Sequence, residues 1–224
     1  MSRPPRLVIG VSGGSASGKT EIARAVARGA APLSALVMAE DDYYGDHGGA
    51  PDFDAARFNF DHPDARDHGL LAEQLSALRA GRTIAAPVYD FTTHRRRAET
   101  RPIAPADIVL VEGIHLFCTE DLRAVFDLRV YVEAPDDVRL ARRVLRDVAE
   151  RGRDATAVVG QYLSTVRPMH REWTAPGREH ADLVIRNDAA AARPAGHLEA
   201  FFDTLAGPVL DAVRRAERGV RRAG

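Results

Sequence analysis

Lysine is almost missing from this sequence: 30 of its 31 basic residues are arginine, and Lys19 stands alone. Cysteine is equally scarce. Cys118 is the only one, so no intramolecular disulfide can form and a reducing compartment suits the chain best. No apolar run approaches the roughly 18 residues of a spanning helix, and residues 1–6 lead into a strand pattern with no secretory-signal layout. Excess charge is lacking too, since 31 basic against 32 acidic side chains leave a net charge of −1. That balance argues against general binding to nucleic acid or to an anionic membrane. The expectation is a soluble, cytoplasmic protein with neither as a partner.

What remains is an ordinary globular composition, 45% hydrophobic and 28% charged, which excludes global disorder. A length of 224 residues suits a single domain, 1–224, carrying a lid or insert. The composition uses arginine wherever a generic cation serves. Keeping one lysine therefore marks a place where a compact ammonium is needed and a planar guanidinium is no substitute.

Short apolar runs recur at residues 7–11, 35–38, 108–111, 128–132 and 183–185, with amphipathic stretches at 20–28, 65–79 and 136–151 between them. Runs so short and apolar suit strands covered on both faces, and their alternation with helices points to a doubly wound parallel sheet. Within 136–151, Val138, Ala141, Val144, Leu145 and Val148 recur at helical spacing with arginines on the other faces. A C-terminal helix is expected over about 194–218, packed on the sheet, with the arginine pairs at 214–215 and 221–222 as a solvated or frayed tail. Residues 42–62 and 83–101 fall outside this rhythm, and long irregular inserts in compact domains are commonly functional.

Gly13, Gly14, Ser15, Ala16, Ser17, Gly18, Lys19 and Thr20 match G-x-x-x-x-G-K-[ST] between an apolar strand and a helix. In that context backbone N–H groups curl around phosphate oxygens at a helix N-terminus, Lys19 reaches the β- and γ-phosphates, and the Thr20 hydroxyl ligates Mg²⁺. Glu112 ends the strand at 108–111, where a carboxylate beside a phosphate loop orients the metal or its water.

A phosphate loop alone does not separate a switch, a motor and a kinase. A guanine-reading Asn-Lys-x-Asp motif is impossible without a second lysine, and no transporter-type Ser-Gly-Gly signature lies outside the loop. A kinase needs carboxylates for its acceptor, which residues 40–42 offer. It also needs a cationic cover for the transferred group, which Arg142, Arg143, Arg146, Arg151 and Arg153 offer.

The series 13–20, Asp41 with Tyr43 and Tyr44, Phe58 to Ala65, Pro87 to Phe91 with His94, Glu112 to Ile114, Arg142 to Asp147, Glu150 to Arg153, Gln161-Tyr162, Val166 to His170 and Ala181-Asp182 resembles the uridine kinase (uridine–cytidine kinase) family over residues 6–186. The resemblance implies an α/β P-loop kinase core with five parallel strands. Their order is expected to be second, third, first, fourth, fifth in chain order, with an inserted β-hairpin at 83–101 over the nucleoside and a helical lid at about 143–165. It implies ATP or GTP as donor, Mg²⁺ held by Thr20, Asp41 and Glu112, and phosphorylation of the 5′-hydroxyl of uridine and cytidine. Asp41 matches the catalytic carboxylate, and Asp61 with Arg143 the ribose binders. Tyr89 and His94 match the base readers, Phe91 the pocket wall, Tyr44 and Gln161 further nucleoside positions, and Arg146 and Arg151 lid or phosphate contacts. A tyrosine hydroxyl and a neutral imidazole can each donate or accept, so one pocket can read both pyrimidines. A homotetramer is implied as well.

Two departures stand out. Asp42 replaces a small hydroxyl residue, and matters if it faces the metal but not if it faces solvent. After Ile185, Arg186-Asn187-Asp188 runs into an alanine-rich stretch in place of a proline–glycine loop, which leaves donor preference open. Other acceptors, as in a phosphoribulokinase-like or pantothenate-kinase-like enzyme, would not need Tyr89, Phe91 and His94 together. A nucleotide-binding regulatory module without turnover is the reading from a different class.

Overall fold

The computed structural model describes residues 4–55, 57–188 and 195–223. The alanine-rich stretch that bears on donor choice lies mostly outside them. Five parallel strands form the main sheet: β1 (Leu7–Ser12), β2 (Ala35–Ala39), β5 (Ile108–Gly113), β6 (Leu128–Glu133) and β7 (Leu183–Arg186). Their spatial order is β2-β5-β1-β6-β7, which is the expected second, third, first, fourth, fifth.

Alternation along each strand divides the core into two layers. Val8, Met38, Val109 and Val111 face α2 (His68–Arg79) and α3 (Glu120–Ala124), meeting Leu71, Leu75, Leu78 and Leu122. Ile9, Val11, Leu110, Val130 and Val132 face the other way, onto Ile22 and Val26 of α1 (Lys19–Gly29) and Ala206 and Val209 of α7 (Ala195–Ala223). With both faces covered, the strands have no room for a polar face, which explains their continuous apolar runs. The C-terminal helix runs helical through Ala223, so the backbone of the arginine pairs at 214–215 and 221–222 belongs to the helix.

The insert forms a separate antiparallel hairpin of β3 (Ile84–Asp90) and β4 (Arg95–Ile103), reaching two residues past the expected end. Its turn is built locally, the Asp90 carboxylate accepting from Thr92 N at 2.9 Å. Arg96 fastens it to the body by donating to the Tyr44 and Tyr43 carbonyls at 2.8 and 3.1 Å. Helix α2 starts three residues later than its periodicity suggests, because residues 63–65 form a short 3₁₀ turn and Asp67 caps the helix through Leu70 N.

Helix α4 (Asp136–Arg151) has the expected bounds and an unexpected orientation. Its buried residues are Arg139, Arg143 and Asp147, whereas Leu145 is 61% and Val148 42% exposed. The apolar stripe, which amphipathicity alone would turn to the core, faces outward. The arginine face turns inward because Asp147 and the phosphate loop supply its partners, and buried guanidinium groups require such partners. Helix α5 (Ala155–Gln161) follows, and π and 3₁₀ turns with α6 (Arg167–Met169) carry the chain to His180.

Candidate active site

Parallel strands end at one edge, and ligand sites of such sheets lie there, where the strand order reverses. Pairing of Val11 with Glu112 and of Ala39 with Glu112 places the phosphate loop, the Glu112 carboxylate and residues 40–44 side by side at that edge.

The loop is held in shape from outside. Gly18 has φ +96°, a left-handed conformation that a side chain would disfavour, and Asn187 donates to the Ser17 carbonyl at 2.7 Å. Arg142 reaches both Asn187 Oδ1 at 3.1 Å and the Ala16 carbonyl at 3.4 Å. Lys19 Nζ lies 3.5 Å from Glu112 Oε2, both side chains largely buried. Burial raises the Glu112 carboxyl above the usual carboxylate range, Lys19 pulls it back, and nearby Asp41 pushes it up again. A cavity of about 550 Å³ opens over Ala16, Gly18, Lys19 and Thr20, with Arg142, Arg146 and Arg151 on its far wall. Its size lies within the range of nucleotide and cofactor sites.

Four arginines, Arg143, Arg146, Arg151 and Arg153, share one anion. The Asp147 side chain is fully buried and takes Arg146 at 2.8 Å, Arg153 at 3.2 Å and Arg151 at 3.5 Å. Arg143 lies 3.8 Å from the same carboxylate and donates to Ser15 Oγ at 2.9 Å and to Gln161 Oε1 at 3.1 Å. Asp147 thereby gathers the cations beside the phosphate loop.

Asp41 sits on the short 3₁₀ turn Glu40–Tyr43, with 56% of its side chain exposed. Asp42 pairs at the surface with Arg101 of β4, at 3.0 Å, and, among the described residues, with none of the phosphate loop. Asp61 accepts from Thr165 Oγ1 at 2.8 Å and shares a narrow cavity with Ser15, His115 and His170.

The aromatic residues form one cluster. Tyr44 and Tyr89 lie 5.1 Å apart, and Phe91, 58% exposed, meets Tyr89 edge-on at 5.0 Å. His94 stacks on Phe60 at 4.6 Å and lies 5.7 Å from Phe53. The Tyr89 hydroxyl is buried without a hydrogen-bond partner among the described residues, as a group that reads a ligand would be.

A buried network that sequence reading missed lies under this site, and it takes Glu40 out of the carboxylates that could serve an acceptor. Glu40 is fully buried. Its carboxylate accepts from Ile114 N at 2.7 Å, His115 N at 3.1 Å and His68 Nε2 at 2.8 Å. It comes so near Gly113 that a Cβ there would overlap it. Burial opposes its ionisation, yet the His68 bond and the Arg66 charge hold its carboxyl well below the usual range. Thr165 and Phe53 are likewise absent from the expected site residues, and Phe60 enters only as part of the 58–65 segment, without a role. The aromatics lie within or beside the irregular inserts, whereas nothing in the sequence marks Thr165.

Burial pushes the His115 imidazole down to about 3. Its folded pKa lies below the ordinary value of 6.5, so the unfolded chain takes up the proton first. Stability is complete above pH 6.5 and lost as pH falls toward 3. At pH 5 this amounts to about 2 kcal/mol. Burial lowers His170 to about 4 as well, so urea midpoints at pH 8 and pH 5 should differ by more than the His115 share, and His115→Asn should remove that share only.

A phosphate loop on a five-stranded parallel sheet, a strand-end carboxylate and an arginine-lined cavity define a P-loop kinase. Residues 8–191 match the model of the phosphoribulokinase / uridine kinase family, and the chain belongs to that family. It is therefore an ATP-dependent phosphotransferase. The uridine kinase of Lactobacillus helveticus is 42% identical over 189 residues, covering 82% of this chain and 90% of its own. That of Geobacillus kaustophilus is 43% identical over 185 residues, covering 83% and 87%. Among solved structures, a Silicibacter kinase shares the fold with a TM-score of 0.62 at 23% identity, covering 81% of this chain and 90% of its own. No helix among the described residues is long and apolar enough to cross a membrane.

Proposed function

We propose that this protein transfers the γ-phosphoryl group of ATP to the 5′-hydroxyl of uridine and cytidine, giving UMP and CMP. The observation that carries the reading is the position of Asp41. It lies near enough to Glu112 to influence its carboxyl, and through Arg66 it is joined to Tyr44 of the aromatic cluster. A hydroxyl presented by a nucleoside in that cluster meets a carboxylate and a phosphate loop together. The relatives in Lactobacillus and Geobacillus, both uridine kinases, support the same choice of acceptor.

In this reading the backbone of residues 13–20 and Lys19 bind the donor phosphates. Asp41 takes the hydroxyl proton or holds the oxygen in line. Arg146 and Arg151 leave Asp147 for the phosphoryl oxygens as charge develops, the lid spanning about 143–165. Asp61 and Arg143 hold the ribose, with Gln161 supporting Arg143. Tyr89 and His94 read the base, with Phe91 as a wall of its pocket and Tyr44 beside it.

The oxygen donors of Thr20, Asp41 and Glu112 suit a hard cation, and among the described residues no cluster of three or more His, Cys, Asp or Glu forms a complete cage. That combination fits Mg²⁺, which is usually held by one or two carboxylates plus substrate phosphates. When bound, Mg²⁺ supplies charge neutralisation at the phosphates. GTP is a second candidate donor, and a cytoplasmic homo-oligomer, a tetramer by family resemblance, is the proposed working form.

A coupled assay with ATP, Mg²⁺ and a panel of nucleosides, sugars and pantothenate tests the assignment. Turnover confined to uridine and cytidine is expected. Turnover of a sugar or pantothenate alone would overturn it, and so would nucleotide binding without turnover.

Asp61→Asn should mainly raise KM for uridine and leave KM for ATP nearly unchanged, since it weakens ground state and transition state together. The penalty should shrink with deoxyuridine, which already lacks one hydroxyl that Asp61 would hold. Equal penalties on both substrates would remove Asp61 from the ribose site.

A further inference from the structure

Arg66 is 7% exposed, and its guanidinium hydrogen-bonds four groups and pairs with a fifth, drawn from residues 40–44, Phe60 and His115. Nη2 donates to Asp41 Oδ1 at 2.8 Å and to the Tyr44 hydroxyl at 2.6 Å. Nη1 donates to the Phe60 carbonyl at 3.2 Å and lies 3.4 Å from His115 Nδ1, and Nε lies 3.7 Å from Glu40 Oε2. We infer that Arg66 is a positioning residue for the Asp41 carboxylate, with Glu40 as the buried counter-ion that holds Arg66 in place. The inference rests on the reading of Asp41 as the group that acts on the 5′-hydroxyl.

The charges show why Asp41 is the beneficiary. A buried guanidinium needs one anion, and Glu40, itself fully buried and clamped by two backbone N–H groups, provides it. The bond to Asp41 is additional, and it reaches a carboxylate that is more than half exposed in the cleft. Among the described residues Arg66 is the side chain that restrains that carboxylate. Arg66 itself cannot drift. Its backbone bridges that of Tyr44, with Gly45 N bonded to the Ala65 carbonyl at 2.9 Å and Asp67 N to the Tyr43 carbonyl at 2.8 Å. The guanidinium fork reaches Asp41, Tyr44 and Phe60 at once and lies over the Tyr44 ring at 4.2 Å, a combination that an ammonium cannot reproduce.

A double-mutant cycle on the purified full chain decides the matter, with kcat and both KM values measured for wild type, Arg66→Met, Asp41→Asn and the double variant. If Arg66 acts through Asp41, Arg66→Met lowers kcat by about 10- to 100-fold, as misplacement of a reacting group does. KM for ATP should stay within about 3-fold. In the Asp41→Asn background the same substitution should lower kcat by less than about 3-fold, because the orientation it supplied is already worthless. Arg66→Lys should recover folding but little of kcat. An equal loss of kcat in both backgrounds would overturn the inference and leave Arg66 a scaffold residue. If Asp41→Asn alone leaves kcat near wild type, the reading of Asp41 falls first and the inference with it, a result distinct from additivity. Should Arg66→Met not fold, Arg66→Lys runs the same cycle with the same criteria.

Discussion

Asp41→Asn is expected to lower kcat for uridine by about 10² to 10⁴, the range that a positioned general base contributes. The amide keeps the shape of the side chain and can still take the hydrogen bond that Arg66 donates at 2.8 Å. It loses the charge that accepts a proton or polarises the attacking oxygen. Because the loss is confined to the transition state, KM for uridine and for ATP should change little. The penalty should also be the same for deoxyuridine, since the 5′-hydroxyl is common to both substrates. That sets it apart from Asp61→Asn, whose penalty depends on the ribose. A large KM effect with kcat preserved would move Asp41 from the reacting hydroxyl to substrate binding.

Lys19→Arg should be nearly as damaging, lowering kcat by about 10² to 10³, the usual cost of removing one preorganised electrostatic donor. Charge is conserved in this substitution and geometry is not. The Lys19 ammonium sits 3.5 Å from Glu112 in a site where both side chains are largely buried. A guanidinium is broader, planar and more weakly hydrated, and cannot place a point charge between the β- and γ-phosphates. Nor can the loop give way, because Gly18 and Ser17 are pinned by Asn187 and Ala16 by Arg142. Steady-state assays of Lys19→Arg and Lys19→Ala side by side make the comparison. Arginine restoring turnover to within a factor of a few of wild type would show that any cation serves there, and would leave the survival of one lysine among 31 basic residues unexplained.

Local chemistry was legible where one stretch of chain carries the whole signal. The phosphate loop is eight consecutive residues whose conformation and ligand follow from their own glycines and the helix they open. The five strands are runs too apolar to lie anywhere but inside a covered sheet, and their order was expected from the family resemblance, not from the runs themselves. The Glu112 carboxylate could be placed because a strand end beside that loop has one natural use.

What the sequence alone could not determine is which face of a helix turns inward and which distant charges meet. Periodicity places Leu145 and Val148 on one face of α4 and Arg143 and Asp147 on another, but burial went to the charged face. Helical spacing says which residues share a side, and only the neighbouring elements decide whether that side finds partners. The same holds for the ion pairs around the site. Asp42 meets Arg101 of the hairpin, and Glu40 meets His68, Arg66 and the backbone of residues 114 and 115. Each of these contacts joins residues brought together by the fold, and a buried charge is stable only once such partners are in place. The sequence by itself determined the phosphate loop and the parallel, covered character of the sheet; the tertiary structure decided which of its many charges are paired, because pairing depends on proximity in space and not along the chain.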